Sequence, residues 1–222
     1  ETARALIRAA GCPIAAPSAN LFGQLSPTSA AHVAEQLSGR IHAIVVAEPS
    51  RVGVESTVVS LLPGEPARLL RPGGVPRELV EHALAPFGPL LEPAAPSPSD
   101  AALPAPGMTA SHYAPRARVR IIDPASPDLR NLSRVALLAP DDATLARLDQ
   151  LAAGLTVVAR AALSEQLDPV RAASQLFELL HQLDEALRVD GDARDTILTT
   201  PYPEPGLGAA IADRLRRASA ER

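Results

Sequence analysis

Four short stretches of this chain carry side chains suited to handling an anionic substrate. The first is Ala15-Ala16-Pro17-Ser18-Ala19-Asn20, followed by Gly23, Ser26, Pro27 and Thr28. Small side chains let a ligand approach the backbone, and Ser18 and Ser26 offer hydroxyls. A helix opening at Ser26 would add free N–H groups and the positive end of its dipole. The same residues also suit an ordinary loop leading into a capped helix. The second stretch runs from Arg51 to Val59, with Glu55-Ser56-Thr57 at the start of an apolar strand. Its hydroxyls either face a substrate or satisfy edge-strand backbone groups. The third is Leu70-Arg71-Pro72-Gly73-Gly74. An Arg at a strand end stays charged and can grip a phosphate with two parallel bonds; the alternative is a surface ion pair. The fourth comprises Pro106-Gly107-Met108 and Ser111-His112-Tyr113-Ala114-Pro115. Only 2% of the chain is aromatic, so a Tyr beside a His in a Pro-rich stretch is conspicuous. Tyr113 can fold over a nucleotide as a lid, or simply anchor the stretch on a domain.

These residues need elements to hold them. Residues 1–10 read as an amphipathic helix. A second helix is predicted to begin at Ser26-Pro27-Thr28 with Ser26 as its N-cap, to place Val33 and Leu37 on one face, and to end at Gly39. Residues 41–47, 54–62 and 67–71 read as strands, and a short helix follows Pro76. Prolines 86, 89, 93, 96, 98, 104, 106 and 115 mark residues 86–116 as an extended, irregular linker. Beyond it, strands at 118–122, 134–139, 155–159 and 195–199 alternate with helices at 141–152, 169–188 and 206–218. That rhythm implies a small parallel sheet flanked by helices. The expected fold is α/β, divided into residues 1–85, the linker 86–116, and a Rossmann-like unit over 117–222. No GxGxxG follows a strand, so no second nucleotide site is expected there. Asp190-Gly191-Asp192 is read as a turn, since the remaining ligands of a calcium loop are missing.

Composition excludes several classes. All 21 basic residues are Arg, so no P-loop lysine is available. The net charge of −4 argues against a strong sequence-independent grip on nucleic acid. Cys12 is the only cysteine; it rules out an intrachain disulfide and reads as a buried, inert thiol. No apolar run is long enough to span a membrane, and a cytoplasmic location is expected.

Taken together, APSAN, SPT, VGVESTVV, RPGG and SHYAP, in this order, resemble the YrdC-like threonylcarbamoyl-AMP synthases of the two-domain type. The tail, ASQLFELLHQLDE and then PEPGLGAAIADRLRRA, resembles that family's C-terminal domain. The resemblance covers nearly the whole chain. It implies that the Ala16 backbone and Ser56 contact threonine. It implies that Ser18, Ser26 and Arg71 contact ATP, that Tyr113 closes over the ATP side, and that Asn20 and Thr57 are supporting residues. The family's early basic motif of Lys and Arg has no counterpart here. The chain is therefore expected to be truncated at its front, and activity of this stretch alone is not implied.

The implied reaction joins L-threonine, bicarbonate and ATP into threonylcarbamoyl-AMP and pyrophosphate, a nucleotidyl transfer for tRNA threonylcarbamoyladenosine modification. Mg²⁺ would ride on the ATP phosphates with mostly water ligands. A downstream tRNA threonylcarbamoyl transferase complex is the implied partner, with at most a weak contact to tRNA and none to a membrane. Two other readings stand beside it. One is a non-catalytic RNA-binding or regulatory module with the same fold. The other is the related carbamoyl-transfer domain of hydrogenase maturation proteins, which the SHYAP segment and the tail argue against.

Overall fold

The computed structural model describes residues 1–92, 109, 111–188 and 195–221. Most of the Pro-rich stretch, Pro106-Gly107-Met108 and Asp190-Gly191-Asp192 lie outside the described residues.

The framework is a four-stranded parallel sheet, built from β3 (Arg118–Ile121), β4 (Arg134–Ala139), β5 (Thr156–Ala162) and β6 (Thr196–Thr199) in the order β3-β6-β4-β5. β4 is buried along five of its six residues, as expected of a near-continuous apolar strand covered on both faces. Its side chains alternate. Val135 and Leu137 join Leu148 and Ala152 from α4 (Asp142–Leu151) and the residue after it. Ala136 and Leu138 join α5 (Pro169–Arg188) and α6 (Gly208–Ser219) on the other face. α5 buries Ala172, Ala173, Leu176, Phe177, Leu180, Leu183 and Leu187, the three-to-four spacing of a helix with one apolar stripe. Its start and that of α4 are set by aspartates. Asp141 accepts from Thr144 N at 2.8 Å, and Asp168 accepts from Val170 N at 2.9 Å.

The first part of the chain holds α1 (Thr2–Ala10), α2 (Ala30–Leu37), a hairpin of β1 (Val58–Ser60) and β2 (Arg68–Arg71), and α3 (Arg77–Leu84). None of its three helices contains a buried residue. It is held to the sheet unit through Leu25, Val54 and Tyr113, which share one cluster with α5 and α6. Gly53 lies so near α5 that a Cβ there would stand 2.2 Å from the Ala173 carbonyl oxygen. Arg116 adds a polar tie, reaching Asp184 at 3.1 Å and Glu35 at 3.2 Å.

Several expectations need correction. α2 is capped by Ser29, whose hydroxyl accepts from His32 N, and not by Ser26, whose side chain is engaged elsewhere. Residues 41–47 form no strand. Val45 and Val46 are 64% and 77% exposed, and no neighbouring strand among the described residues pairs with them. β1 covers only three of the nine residues expected to be extended. β5 runs three residues further than expected. Cys12 is exposed, not buried; it follows the left-handed cap Gly11 at the end of a helix with no packed face. Among the described residues, no helix is long and apolar enough to cross a membrane.

Candidate active site

Glu55 is the hub where the separate stretches meet. One carboxylate oxygen accepts a short hydrogen bond from the Ser26 hydroxyl. The other lies 3.0 Å from Arg214 Nε and 2.9 Å from Arg214 Nη2. Arg214, on α6, is fully buried at its side chain, and its Nη1 donates to the Pro72 carbonyl at 2.7 Å and to Asp213 at 2.8 Å. The guanidinium carbon sits 5.0 Å from the centre of the Tyr113 ring, within cation–π range. A buried guanidinium is tolerable only when its charge is paired, as it is here with Glu55 and Asp213.

Turn chemistry sets the position of Glu55. Gly74 N donates to its carbonyl at 2.9 Å. A Cβ on Gly73 would stand 2.4 Å from Glu55 O, Ser56 C and Thr57 N. The Pro-Gly-Gly turn after β2 therefore lies directly on the Glu55–Thr57 backbone, and only glycine permits it. Arg71 ends β2 and donates to Ser56 O at 3.0 Å from Nη2 and 3.3 Å from Nε. Thr57 exchanges bonds with Val75, accepting from N at 3.0 Å and donating to O at 2.6 Å. Arg71, Ser56 and Thr57 thus brace one turn.

The Ser111–Pro115 segment covers this cluster. Ala114 N donates to Gly23 O at 2.9 Å, and His112 N to Arg217 O at 3.2 Å. Tyr113 is 2% exposed and has φ of 59°, a left-handed conformation that is unfavourable for a bulky residue and typical of functional sites. Its ring lies against Phe177 and His112. Its buried hydroxyl has no hydrogen-bond partner among the described residues. Burial pushes the Tyr113 phenol up from its ordinary pKa and holds the His112 imidazole down, so His112 is neutral at pH 7. Asp213 is shared with Arg217 at 3.0 Å. Arg71, Arg214 and Arg217 face Glu55 and Asp213, a surplus of one positive charge that favours an anion.

The remaining expected residues lie further out. Ala16 and Ser18 are exposed, and among the described residues no hydrogen bond joins them to the Glu55 cluster. Asn20 uses its amide to fix the loop, donating to Leu21 O and Gln24 O at 3.1 Å. The structure therefore brings together Ser26, Ser56, Thr57, Arg71 and Tyr113, and leaves Ala16, Ser18 and Asn20 on the adjoining loop. Sequence reasoning did not select Glu55, Asp213, Arg214 or Arg217. One signal was available: Arg214 lies three residues from Ile211 and four from Ala218, on the buried stripe of α6. A charge on an apolar face demands a partner.

The chain matches two family models. One, described as "Threonylcarbamoyl-AMP synthase, C-terminal domain", covers residues 75–220. The other, described as "Telomere recombination", covers residues 1–73. Among curated relatives, the threonylcarbamoyl-AMP synthase of Pyrococcus abyssi is 37% identical over 229 residues, spanning 100% of this chain and 62% of the relative. That of Bacillus subtilis is also 37% identical over 229 residues, spanning 99% and 61%. The chain thus spans about three fifths of the length of these relatives. The crystal structure of P. abyssi Sua5 complexed with L-threonine superposes with a TM-score of 0.72 at 34% identity, covering 96% of this chain and 60% of that one. A variant of the same protein with a His and a Tyr changed to Ala gives 0.73 at 33% identity, covering 99% and 60%. With one family model matched over well more than half its length and a fold shared with solved relatives, the chain belongs to the threonylcarbamoyl-AMP synthase family.

Proposed function

We propose that this chain serves an L-threonylcarbamoyladenylate synthase, a nucleotidyltransferase that consumes L-threonine, bicarbonate and ATP. The observation that carries this reading is the convergence on Glu55. Ser26, the Pro-Gly-Gly turn, the Ser111–Pro115 segment and α6 all meet there, under a local positive surplus. A solved relative described as complexed with L-threonine supports threonine as a substrate.

In this reading the threonine amine first attacks the bicarbonate carbon; a C–N bond forms, a C–O bond breaks, and water leaves, giving the carbamate. A carbamate oxygen then attacks the α-phosphorus of ATP, one P–O bond forms as the bond to pyrophosphate breaks, and pyrophosphate leaves. No covalent enzyme intermediate is needed; positioning and charge neutralisation lower the barrier. Arg71 neutralises the nucleotide, the Tyr113 hydroxyl donates to it, and Ser56 with the Ala16 backbone holds threonine. Ser18 reaches ATP from the adjoining loop. The Ser26 hydroxyl already donates to Glu55, so Ser26 bonds a phosphate as donor only when it turns away from Glu55. Asn20 and Thr57 hold the loop and the turn. Mg²⁺ fits as a phosphate-borne ion, because Glu55 is occupied by Ser26 and Arg214 and offers it little.

Residues 117–222 are read as a Rossmann-like scaffold that fixes the 86–116 linker over residues 1–85. The product passes to a tRNA threonylcarbamoyl transferase complex in the cytoplasm, with only a weak contact to tRNA. Mass-spectrometric detection of threonylcarbamoyl-AMP from L-threonine, bicarbonate and Mg-ATP tests the reading. It is to be run on this chain and on the full reading frame that encodes it. Product from either supports the reading, and product from neither overturns it.

A further inference from the structure

The carboxyl ends of the parallel strands enclose a cavity that the chemistry above does not use. β4 leads into α4 on one face of the sheet, and its neighbour β6 leads into α6 on the other. The two loops therefore part in opposite directions between adjacent strands. In parallel α/β sheets this divergence opens a crevice where ligands bind. Here the crevice holds about 240 Å³, with Pro140, Thr144 and Arg147 on the β4–α4 side and Thr200, Pro201 and Pro203 on the β6 side.

Two of these residues are incomplete as they stand. Thr200 is 3% exposed, and its buried hydroxyl has no hydrogen-bond partner among the described residues. Leaving such a group unsatisfied costs on the order of 1–3 kcal/mol, so it calls for an explanation. Arg147 projects from α4 and makes no ion pair or hydrogen bond with any described residue. The rest of the wall is mostly Pro and Leu. That combination suits a ligand with one anionic end and an apolar body.

Size and charge narrow the class. The volume corresponds to roughly eight water molecules, below the several hundred Å³ of a nucleotide pocket. Arg147 is the one charged side chain on its wall among the described residues. A single guanidinium matches a single negative charge better than a dianion such as phosphate.

We propose that this crevice is a second binding site, taking a small monocarboxylate whose charged end meets Arg147 and the hydroxyls of Thr144 and Thr200, and whose alkyl part packs on Pro140, Pro201 and Pro203. The site does not depend on the synthase reading, since none of its residues belongs to the Glu55 cluster.

The test is a titration of the ¹⁵N-labelled full chain by NMR. The probe is 3-methylbutanoate, and its neutral isostere 3-methylbutanamide is the control. The acid should shift the amides of Thr144, Arg147 and Thr200 saturably with a Kd of about 1 mM, and the amide should bind about tenfold more weakly. Thr200→Val removes only an unpartnered hydroxyl, so it should keep the folded spectrum and weaken the acid about fivefold. Arg147→Leu should erase the preference for acid over amide. The proposal is overturned if the acid gives no saturable shift up to about 50 mM, if acid and amide bind equally, or if Arg147→Leu changes nothing.

Discussion

At the scale of single residues, the Glu55–Arg214 pair is the most consequential contact in the chain. Arg214 is fully buried, so removing Glu55 leaves its charge away from water with only half of its carboxylate pairing, that to Asp213. Glu55→Gln should destabilise the fold by about 3 kcal/mol, read as a lower urea midpoint. The double variant Glu55→Leu with Arg214→Met should recover more than half of that loss, because it buries no unpaired charge; a strictly additive double variant would refute the coupling. Tyr113→Phe separates folding from binding. Its hydroxyl has no partner among the described residues, so the variant should keep its urea midpoint within about 0.5 kcal/mol, yet lose about tenfold in ATP affinity by calorimetry. The sequence exposed Ser26, Ser56, Arg71 and Tyr113 as a set through the ordered motifs SPT, VGVESTVV, RPGG and SHYAP and the family they resemble. It hid Glu55 and Arg214, since a carboxylate in one motif and an Arg in a distant helix announce nothing until the fold joins them.

At the scale of elements, α2 and α5 meet through two stacked imidazoles, His32 and His181, 3.8 Å apart and 19° from parallel. Glu178 lies 3.5 Å from His32, and the Ser26 carbonyl 3.3 Å from His181 Nε2. Burial first, and His32 second, hold the His181 pKa below its ordinary value of 6.5, against the opposing pull of Glu35 and Glu178. The unfolded chain therefore takes up more protons here than the folded one, and stability falls as pH drops below about 6.5. Urea midpoints at pH 7.5 and 5.5 should show this loss, and His181→Gln should reduce it; an unchanged pH dependence would refute the assignment. Gly73→Ala tests the turn that carries Glu55, and should cost at least ~2 kcal/mol, because the clashing atoms are backbone. The strands and helices of 118–219 were legible because β4 is a short continuous apolar run and α5 carries a helical apolar stripe. The strand expected at 41–47 was not realised, because an apolar run specifies extended chain only where a neighbouring strand accepts its hydrogen bonds.

For the molecule as a whole, burial is uneven. The residues that are completely shielded cluster in β4, α5, β6 and α6, whereas Leu6, Ile7, Phe22, Val45, Val46, Leu61 and Leu62 stand exposed in the first part of the chain. Hydrogen exchange should follow this division, with amides of 135–139 and 176–187 protected far longer than those of 2–19 and 41–50. Comparable protection in both parts would contradict the packing described. This asymmetry of burial could not be read from the sequence, since exposure depends on neighbours rather than on residue type. The pairing of Glu55 with Arg214 also has a consequence in time. The two are separated by 159 positions, so during synthesis Glu55 emerges on the order of 10–30 s before its counter-ion exists. Until then its carboxylate must stay hydrated, and the Pro-Gly-Gly turn beside it has no guanidinium to bond, so the anion pocket closes late, as one of the final acts of a nascent chain.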